Sequence, residues 1–559
     1  NLMLYSQRRQ LHQAVGEWIE AHHRQDIEAF YTLLAYHWTQ AARVPDPENH
    51  GQVIAKARVY LEKAGDQSLK NFANAEALEF FKELLGFVDV NKEDRLYIGR
   101  LYRRMGEACL GLGRIVEAKE YILQAMKTLG LPLPPSDPGR VAGILKHILI
   151  QAGHRLLPSR FIGREVDPRE RESRREIVAL CQRLSSVQFL NGDPNPLPML
   201  FANIAGLNVA ETLKDFPGVW TTYAYMSATA GLIPLHSQAR HYKERWFALG
   251  EKFDDPNLFI DGAVALCTVE SGNGKWQLVK DLIERSSALC EEMGDHRRNG
   301  DSVAYLAVNA LFEGGPKLAE PYNKREWEIA MRRENPIHIG FSYQVDCSAL
   351  VWQGRYDECI VNAQKCLAFS KKTWVGEVPE YIVRSAMYLA MWLKGEREEA
   401  WQSVKAALDR FTKASVVDFS THLINLHLAE VAFLALEEGR KNTLPRAQMD
   451  EIEKYARIAL KNLKKFTGVF SIGGPALNRF MGSLEWHNGE HEKAFQYWRT
   501  SAEKAHVLPM KYEEARAWLD LGRHLERGSA ERTPAMKRAA ELFAECGLDN
   551  WVSVVEIEL

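Results

Sequence analysis

The chain has 559 residues, of which 46% are hydrophobic and 26% are charged. This length requires either several hydrophobic cores or a stack of many small units, and the hydrophobic fraction is too high for a disordered chain. The net charge of −2, from 71 basic and 73 acidic residues, lacks the positive excess of a dedicated nucleic-acid or anionic-membrane binder. The composition therefore favours protein partners.

The first residues carry no targeting signal. The chain begins with Asn1 rather than an initiator methionine, and residues 1–4 lack the basic and then apolar layout of a signal peptide. We therefore expect a piece of a longer protein. Proline-rich breaks at residues 44–50, 131–138 and 192–198 predict boundaries between helical regions. The predicted segments are a helical entry segment (1–52), a first repeat block (53–130), a proline-rich and charged crossing segment (131–176) and a long second repeat block (177–559).

Two repeats are predicted in the first block. The clearer one places Gly106, Ala118 and Ile122 at positions 8, 20 and 24 of a helical hairpin of ~34 residues. Small residues at positions 8 and 20 let two antiparallel helices approach closely, while larger residues fill the flanks. An earlier copy has Gly65 and Phe81 in the same register.

The crossing segment contains the most membrane-like stretch of the chain, Val141 to Ala152. This stretch is shorter than the ~20 apolar residues that a membrane-spanning helix needs, and it contains Lys146 and His147. We therefore predict no membrane insertion.

A run of arginines follows in the same segment. Acidic residues interleave with the arginines, which favours a solvated, salt-bridged helix over a nucleic-acid contact. Asp167 and Pro168 predict the start of that helix, as its cap and its first residue. We expect no nucleic-acid partner. The arginines are Arg155, Arg160, Arg164, Arg169, Arg171, Arg174 and Arg175.

The second block repeats the same hairpin pattern. Long segments with a 3.6-residue period, such as Val383 to Trp392 and Ile452 to Leu463, dominate, and alternating strand patterns are nearly absent. The sequence therefore predicts an all-α, tetratricopeptide-type α-solenoid, a right-handed superhelix of helical hairpins in two blocks. The copies lie at Gly274 to Ser286, Gly314 to Ala319, Cys347 to Cys366, Tyr388 to Ala407, Gly482 to Trp498, and from Trp518 through Gly522 to Leu525.

Two glycine-containing passages approach nucleotide-binding motifs. Ser271 to Trp276 is the nearest to a phosphate loop, but Val269 and Trp276 stand where the Walker A motif needs a glycine and a hydroxyl. Gly111 to Gly113 begins like a dinucleotide fingerprint, but it follows a helical pattern and lacks the third glycine. We predict that both passages are turns between helices.

The histidines and cysteines give no metal-binding pattern. His487 and His491 are separated by a predicted turn, and His422 and His427 are five residues apart on different helix faces. The cysteines are dispersed without a CxxC pair, so neither a disulfide framework nor a zinc knuckle is indicated, and a reducing cytoplasm is expected. We predict no catalytic, cofactor-binding or metal-binding residues and leave the partner-binding residues unassigned. The cysteines are Cys109, Cys181, Cys267, Cys290, Cys347, Cys359, Cys366 and Cys546, and Cys359 and Cys366 are predicted to pack as buried thiols.

Four passages resemble the carboxy-terminal helical region of multidomain class III adenylate/guanylate cyclases. In that family the region follows paired cyclase domains and an AAA-type, STAND-like ATPase module. The resemblance implies a non-catalytic scaffold that binds a protein partner or an upstream domain of the same chain, as the regulatory tail of a cytosolic ATPase or cyclase in cAMP signalling. The passages are Gln7 to His12, Tyr31 to Trp38, Leu129 to Pro134 and Met293 to Arg298.

Similar tails follow the ATPase module of bacterial serine/threonine kinases and of MalT-type regulators. The resemblance therefore leaves two alternatives open, the tail of an ATPase-linked kinase and a ligand-sensing repeat region with a small molecule inside the superhelix. The metal-binding aspartates, transition-state arginine and phosphate-binding loop of the cyclase family have no matching motif here. We therefore expect no enzymatic activity within these residues and no cofactor.

Overall fold

Helices make up almost all of the regular structure. The computed structural model describes residues 5–44, 49–190, 195–250, 252–333, 335–373, 375–416, 418–442 and 444–559. Within these ranges the chain forms 27 α-helices and two short 3-10 helices, Ile27–Phe30 and Phe419–Thr421, with no β-strand. A single isolated β-bridge joins Arg164 and Leu213 in the same ranges. The all-α prediction is confirmed.

The chain divides into two compact units. Unit 1 comprises Asn1–Leu190 and Leu197–Phe216, and unit 2 comprises Asn191–Pro196 and Pro217–Leu559. The helices of unit 1 are α1 (Tyr5–His22), α2 (Tyr31–Ala42), α3 (His50–Lys70), α4 (Asn74–Gly86), α5 (Arg95–Gly111), α6 (Ile115–Thr128), α7 (Asp137–Leu156), α8 (Pro158–Phe161), α9 (Pro168–Leu190) and α10 (Leu197–Thr212).

The helices of unit 2 follow one another in hairpins. They are α11 (Gly218–Leu232), α12 (His236–Gly250), α13 (Pro256–Gly272), α14 (Trp276–Met293), α15 (His296–Gly314), α16 (Pro316–Arg333), α17 (Pro336–Trp352), α18 (Tyr356–Ser370), α19 (Glu377–Lys394), α20 (Arg397–Lys413), α21 (His422–Lys441), α22 (Arg446–Thr467), α23 (Gly473–His487), α24 (His491–Val507), α25 (Lys511–His524), α26 (Arg532–Glu545) and α27 (Asp549–Glu558).

Glycines at position 8 set the close approach of paired helices. A Cβ atom on Gly106 would lie 3.0 Å from Cγ1 of Ile122 on the partner helix, and one on Gly65 would lie 2.5 Å from Cε1 of Phe81. The same relation joins Gly482 to the Trp498 ring, at 2.6 Å. Any larger residue at these positions would force the helix axes apart. The predicted hairpin register is therefore found in both units.

The predicted crossing segment is mostly helical and packs within unit 1. Ser136 caps α7, because its Oγ accepts a hydrogen bond from the Gly139 amide at 3.3 Å. Asp167 caps α9 in the same way, accepting from the amides of Arg169 and Glu170 at 3.1 and 3.0 Å. The predicted start of α9 is confirmed. The division into four segments stays a prediction, and part of the breaks at 44–50 and 192–198 lies outside the described residues.

Two arginines of the predicted run on α9, Arg169 and Arg174, pair with carboxylates. Arg169 bridges Asp94 at 2.7 Å, and Glu176, an acidic residue between the arginines, bridges Arg100 and Arg103 at 3.1 and 2.5 Å. These contacts tie α9 to α5. Part of the arginine run therefore forms ion pairs within the protein, as the interleaved charges predict, whereas Arg171 donates to the Lys214 carbonyl and Arg175 lies over the Phe216 ring.

Within the part of the chain that the structure describes, one helical stretch has the length and composition to cross a membrane. It runs from Phe419 to Lys441, and 78% of its apolar window is buried inside the protein. A core helix of a folded domain passes the same test of length and hydropathy. Val141 to Ala152, which the sequence analysis ranked as the most membrane-like stretch, lies in α7 and is largely exposed.

A buried carboxyl on α16 makes folding depend on pH. Glu326 is fully buried, and neither of its oxygens has a hydrogen-bond partner among the described residues. Burial, with the nearby charge of Asp301, raises the pKa of Glu326 well above its ordinary value, and Arg325 offsets this only in part. The side chain is therefore protonated in the folded protein at a pH where the unfolded chain is ionised.

We expect Glu326→Gln to remove a pH-dependent loss of stability. Because the folded pKa lies above the unfolded one, the contribution of Glu326 is fully present below about pH 4 and declines as the pH rises, by at most about 1.4 kcal/mol per pH unit. Urea unfolding at pH 5 and pH 8 should show a smaller loss of stability in the variant than in the wild type. Glu328→Gln, an exposed neighbour on the same helix, is the control. Equal pH dependence in the wild type and both variants would contradict the assignment.

Candidate functional site

In unit 2 the early repeats, α13 to α18, contact the late repeats, α23 to α27. The amide of Ile472 donates to the Gly272 carbonyl at 3.1 Å, and the Trp276 indole donates to the Leu508 carbonyl at 2.6 Å. Trp352, at the end of α17, stacks on Tyr512 with ring centroids 4.1 Å apart. The turns that end α13 and α17 therefore pack against the segments that precede α23 and α25 and against α25 itself.

The last helices of unit 2 add further contacts between the early and late repeats. The indole of Trp551 and the amide of Asn550 both donate to the Trp352 carbonyl, at 3.0 and 3.1 Å. The Lys317 amide donates to the Cys546 carbonyl at 3.2 Å. The first helices of the hairpins, among them α13, α15, α17 and α21, are buried on nearly all sides. The face of unit 2 that these helices line is therefore packed core rather than an open concave surface.

Two guanidinium groups are buried in that core. Arg479 on α23 bridges Glu430 on α21 at 2.7 Å, and Arg516 on α25 bridges the same carboxylate at 2.5 Å. Burial opposes ionisation of Glu430, but the two guanidiniums outweigh it and lower its pKa to about 2. Each guanidinium also lies over an aromatic ring, Arg479 over Phe480 and Arg516 over Trp551. The network joins α21, α23 and α25, and we assign it a structural role.

Glu513 completes this cluster. It is buried beside Arg479, with 3.9 Å between its Oε2 and Nε of Arg479. Burial raises the pKa of Glu513 despite the attraction of Arg479 and Arg516. Two carboxyl groups whose pKa values are shifted in opposite directions thus share two arginines. Such an arrangement resembles an acid–base pair, but it lies inside packed helices away from any groove that the structure shows.

A solvent-accessible groove lies between α16, α17 and α18. Its volume is about 470 Å³, with α17 as the floor and α16 and α18 as the walls. Glu320, Lys324 and Lys365, which are exposed, lie along its rim. Both signs of charge therefore border the opening.

The floor of the groove has polar groups and an aromatic wall. The Oγ of Ser342 is buried without a hydrogen-bond partner among the described residues, and Asp346 accepts from Nδ2 of Asn362 at 2.7 Å. Burial raises the pKa of Asp346, although the amide of Asn362 works in the other direction. Trp327 and Tyr343 meet edge to face, with ring centroids 5.3 Å apart. Together these groups offer hydrogen bonds and an aromatic surface to a bound molecule.

Sequence reasoning did not single out any of these groove residues. They come from three helices, and each is an ordinary residue of its own helix. Only the packing of α16 to α18 brings them together. Glu320 directly follows the weak copy at Gly314 to Ala319 and gives no separate signal.

The passage nearest to a phosphate loop and the histidine pair of α21 lie apart from the groove. The Ser271 to Trp276 passage forms the turn between α13 and α14, with Gly274 at φ +69°. His422 stacks on Phe466, whereas Nδ1 of His427 is 3.1 Å from the Ser385 hydroxyl. Among the described residues no group of three or more His, Cys, Asp or Glu side chains could hold a metal ion. All eight cysteines are buried free thiols.

The paired helices, their glycine-set contacts and the repeated turns define an all-α protein of the tetratricopeptide-type α-solenoid class. The prediction of this fold is confirmed. No protein-family model and no curated protein matches the chain.

Solved structures with helical repeats give low similarity. The human IFIT1 dimer with m7Gppp-AAAA is 14% identical, with 79% of this chain and 98% of that chain covered and a TM-score of 0.36. The structure of Naa15/Naa10 bound to HypK-THB is 11% identical, with 99% of each chain covered and a TM-score of 0.23. A circular tandem repeat protein is 12% identical, with 92% of this chain and 98% of that chain covered and a TM-score of 0.14. At these values the assignment to the class rests on the helices of the chain itself.

Proposed function

We propose that the chain is a non-catalytic scaffold that holds a polypeptide segment in the groove between α16 and α18. The observation that carries the proposal is the groove itself, with the unpartnered Ser342 hydroxyl and the partly exposed Trp327 ring. Buried polar groups on a groove floor favour a ligand with hydrogen-bonding groups of its own, such as a peptide backbone. The charged rim suits a segment that carries both signs of charge.

We further propose that the occupant is an upstream domain of the same polypeptide. In this proposal the chain is the regulatory tail of a cytosolic signalling ATPase, a class III nucleotide cyclase that takes part in cAMP signalling. The support comes from the four passages that resemble the cyclase tail. A separate protein partner is the other occupant that the groove could take.

The kinase tail and the MalT-like sensor remain alternatives for the parent protein. In the sensor, a small molecule would lie inside the superhelix. The packing of Trp352 on Tyr512 and of Gly272 against Phe470 fills that position in unit 2, which favours the outer groove over an internal ligand.

The full-length product of the gene tests the scaffold proposal. We expect amide hydrogen exchange in α16 to α18 to be slower in the full-length protein than in the 559-residue chain, because the groove would be occupied. Trp327→Ala should abolish this difference, whereas Trp18→Ala, another exposed tryptophan, should preserve it. Identical exchange in the two proteins would contradict an intramolecular occupant.

The cyclase proposal has a separate test. We expect the full-length protein to synthesise cyclic AMP from ATP, and Trp327→Ala to change that rate severalfold without changing the melting temperature. A full-length protein without cyclase activity would contradict the cyclase proposal. The scaffold proposal would then still be tested by the hydrogen-exchange measurement.

A further inference from the structure

Helix α7 presents an apolar stripe to solvent. Five large aliphatic side chains on one side of the helix are between 43% and 79% exposed. They recur at intervals of three, four or seven residues, so they fall on one face. The helix axis over these residues is about 24 Å long, at ~1.5 Å per residue. The stripe consists of Val141, Leu145, Ile148, Leu149 and Leu156.

The opposite face of α7 is polar and is fixed to α10. The Glu211 carboxylate lies 2.8 Å from Nδ1 of His154 and accepts a hydrogen bond from Gln151 at 3.1 Å. The Asn208 amide donates to the His147 carbonyl at 2.8 Å. These buried contacts set the rotation of the helix. The polar groups of α7 face the protein, and its apolar side chains therefore face solvent. An ordinary surface helix has the reverse arrangement.

Most charges around the stripe are positive. Residues 137–164 contain five Lys and Arg residues and a single acidic residue, Asp137, which bridges Arg140 at 2.6 Å at the start of α7. Lys146 and Arg155 lie at the two edges of the apolar face, where long cationic side chains can extend past bound apolar groups to meet anionic groups. Apolar stripes bordered in this way are typical of helices that lie in the interface of an anionic membrane.

We propose that the stripe of α7 docks on the surface of an anionic lipid bilayer, with the helix parallel to the membrane plane. The aliphatic side chains enter the boundary between headgroups and acyl chains, and Lys146 and Arg155 meet lipid phosphates. The local charge favours this occupant over a second copy of the chain, because pairing two copies of α7 would bring two cationic borders together. The near-neutral charge of the whole chain conceals this local excess.

Co-sedimentation of the 559-residue chain with vesicles tests the proposal. We expect binding to vesicles of phosphatidylcholine with 30% phosphatidylglycerol, and at least tenfold weaker binding to phosphatidylcholine alone or at 0.5 M salt. The double variant Leu145→Ser/Leu149→Ser should reduce binding to the anionic vesicles by at least tenfold. Val116→Ser, which changes an exposed aliphatic residue on α6, is the control and should bind as the wild type does.

Three outcomes would overturn the proposal. They are no binding to anionic vesicles, equal binding by the double variant, and a stripe-dependent dimer in analytical ultracentrifugation without vesicle binding. The last would identify a second copy as the occupant. Circular dichroism melting of each variant separates a loss of the docking surface from a loss of folding.

Discussion

Arg479→Met is expected to lower the free energy of unfolding of unit 2 by about 3–5 kcal/mol, because it removes one of the two buried cations that offset the buried carboxyl groups of this cluster. Arg479 is almost fully buried and lies within 4 Å of Glu430, Glu513 and Asp520. Guanidinium denaturation at pH 7, followed by tryptophan fluorescence, measures the effect. Methionine keeps most of the aliphatic volume, so the loss reports the charge rather than a cavity.

An exposed ion pair provides the matched control. Arg397 bridges Glu438 at 2.7 Å with about half of its side chain exposed, and Arg397→Met should cost no more than about 1 kcal/mol. If the variants at Arg397 and Arg479 unfolded at the same denaturant concentration, the buried network would not stabilise unit 2.

The same network predicts sensitivity to acid. The pKa of Glu430 is lowered to about 2 in the folded protein, so its stabilising contribution is present above its unfolded pKa and is lost as the pH falls toward 2. The expected loss is about 3 kcal/mol. Arg479→Met should reduce this acid dependence, because one of the two cations that lower the pKa is removed.

Gly272→Ala is expected to have the second large effect, a destabilisation of about 1–3 kcal/mol from overpacking. A Cβ atom at Gly272 would lie 2.0 Å from Cδ1 of Phe470, whose side chain is fully buried. The clash separates the end of α13 from the segment before α23. Thermal unfolding monitored by circular dichroism measures the loss, and faster amide exchange in α13 and α23 would locate it.

Gly51→Ala provides the comparison. No atom lies within 4 Å of a Cβ atom at Gly51, in α3, so alanine there should raise stability by about 0.5–1 kcal/mol. A neutral or stabilising effect of Gly272→Ala would mean that the end of α13 and the segment before α23 are not closely packed.

The hairpins with a small residue at position 8 could be predicted from sequence, because one glycine fixes the approach of two helices. Gly106 and Ile122 show this directly. The hairpin of α11 and α12 and that of α21 and α22 were missed. In α11 the residue that meets the paired helix is Ser227, which donates to the Ala239 carbonyl at 2.8 Å, so no glycine marks this hairpin.

The closure of unit 2 and the groove could not be predicted, for a different reason. Repeat spacing describes neighbouring helices, whereas Trp276 and Leu508 are 232 residues apart. Their contact depends on the small rotations that accumulate between successive hairpins. The groove residues Ser342 and Trp327 carry no periodic signal of their own, and only their three-dimensional arrangement distinguishes them.

We propose that packing between early and late repeats fills the inner face of unit 2 and leaves the groove between α16 and α18 as the binding surface. Disulfide trapping tests this packing, since Oγ of Ser471 donates to Oδ1 of Asn273 at 3.0 Å. We expect the double variant Asn273→Cys/Ser471→Cys to form an intramolecular disulfide readily under mild oxidation, with the native cysteines remaining reduced because they are buried. A double variant that stays reduced under those conditions would contradict the closed interior.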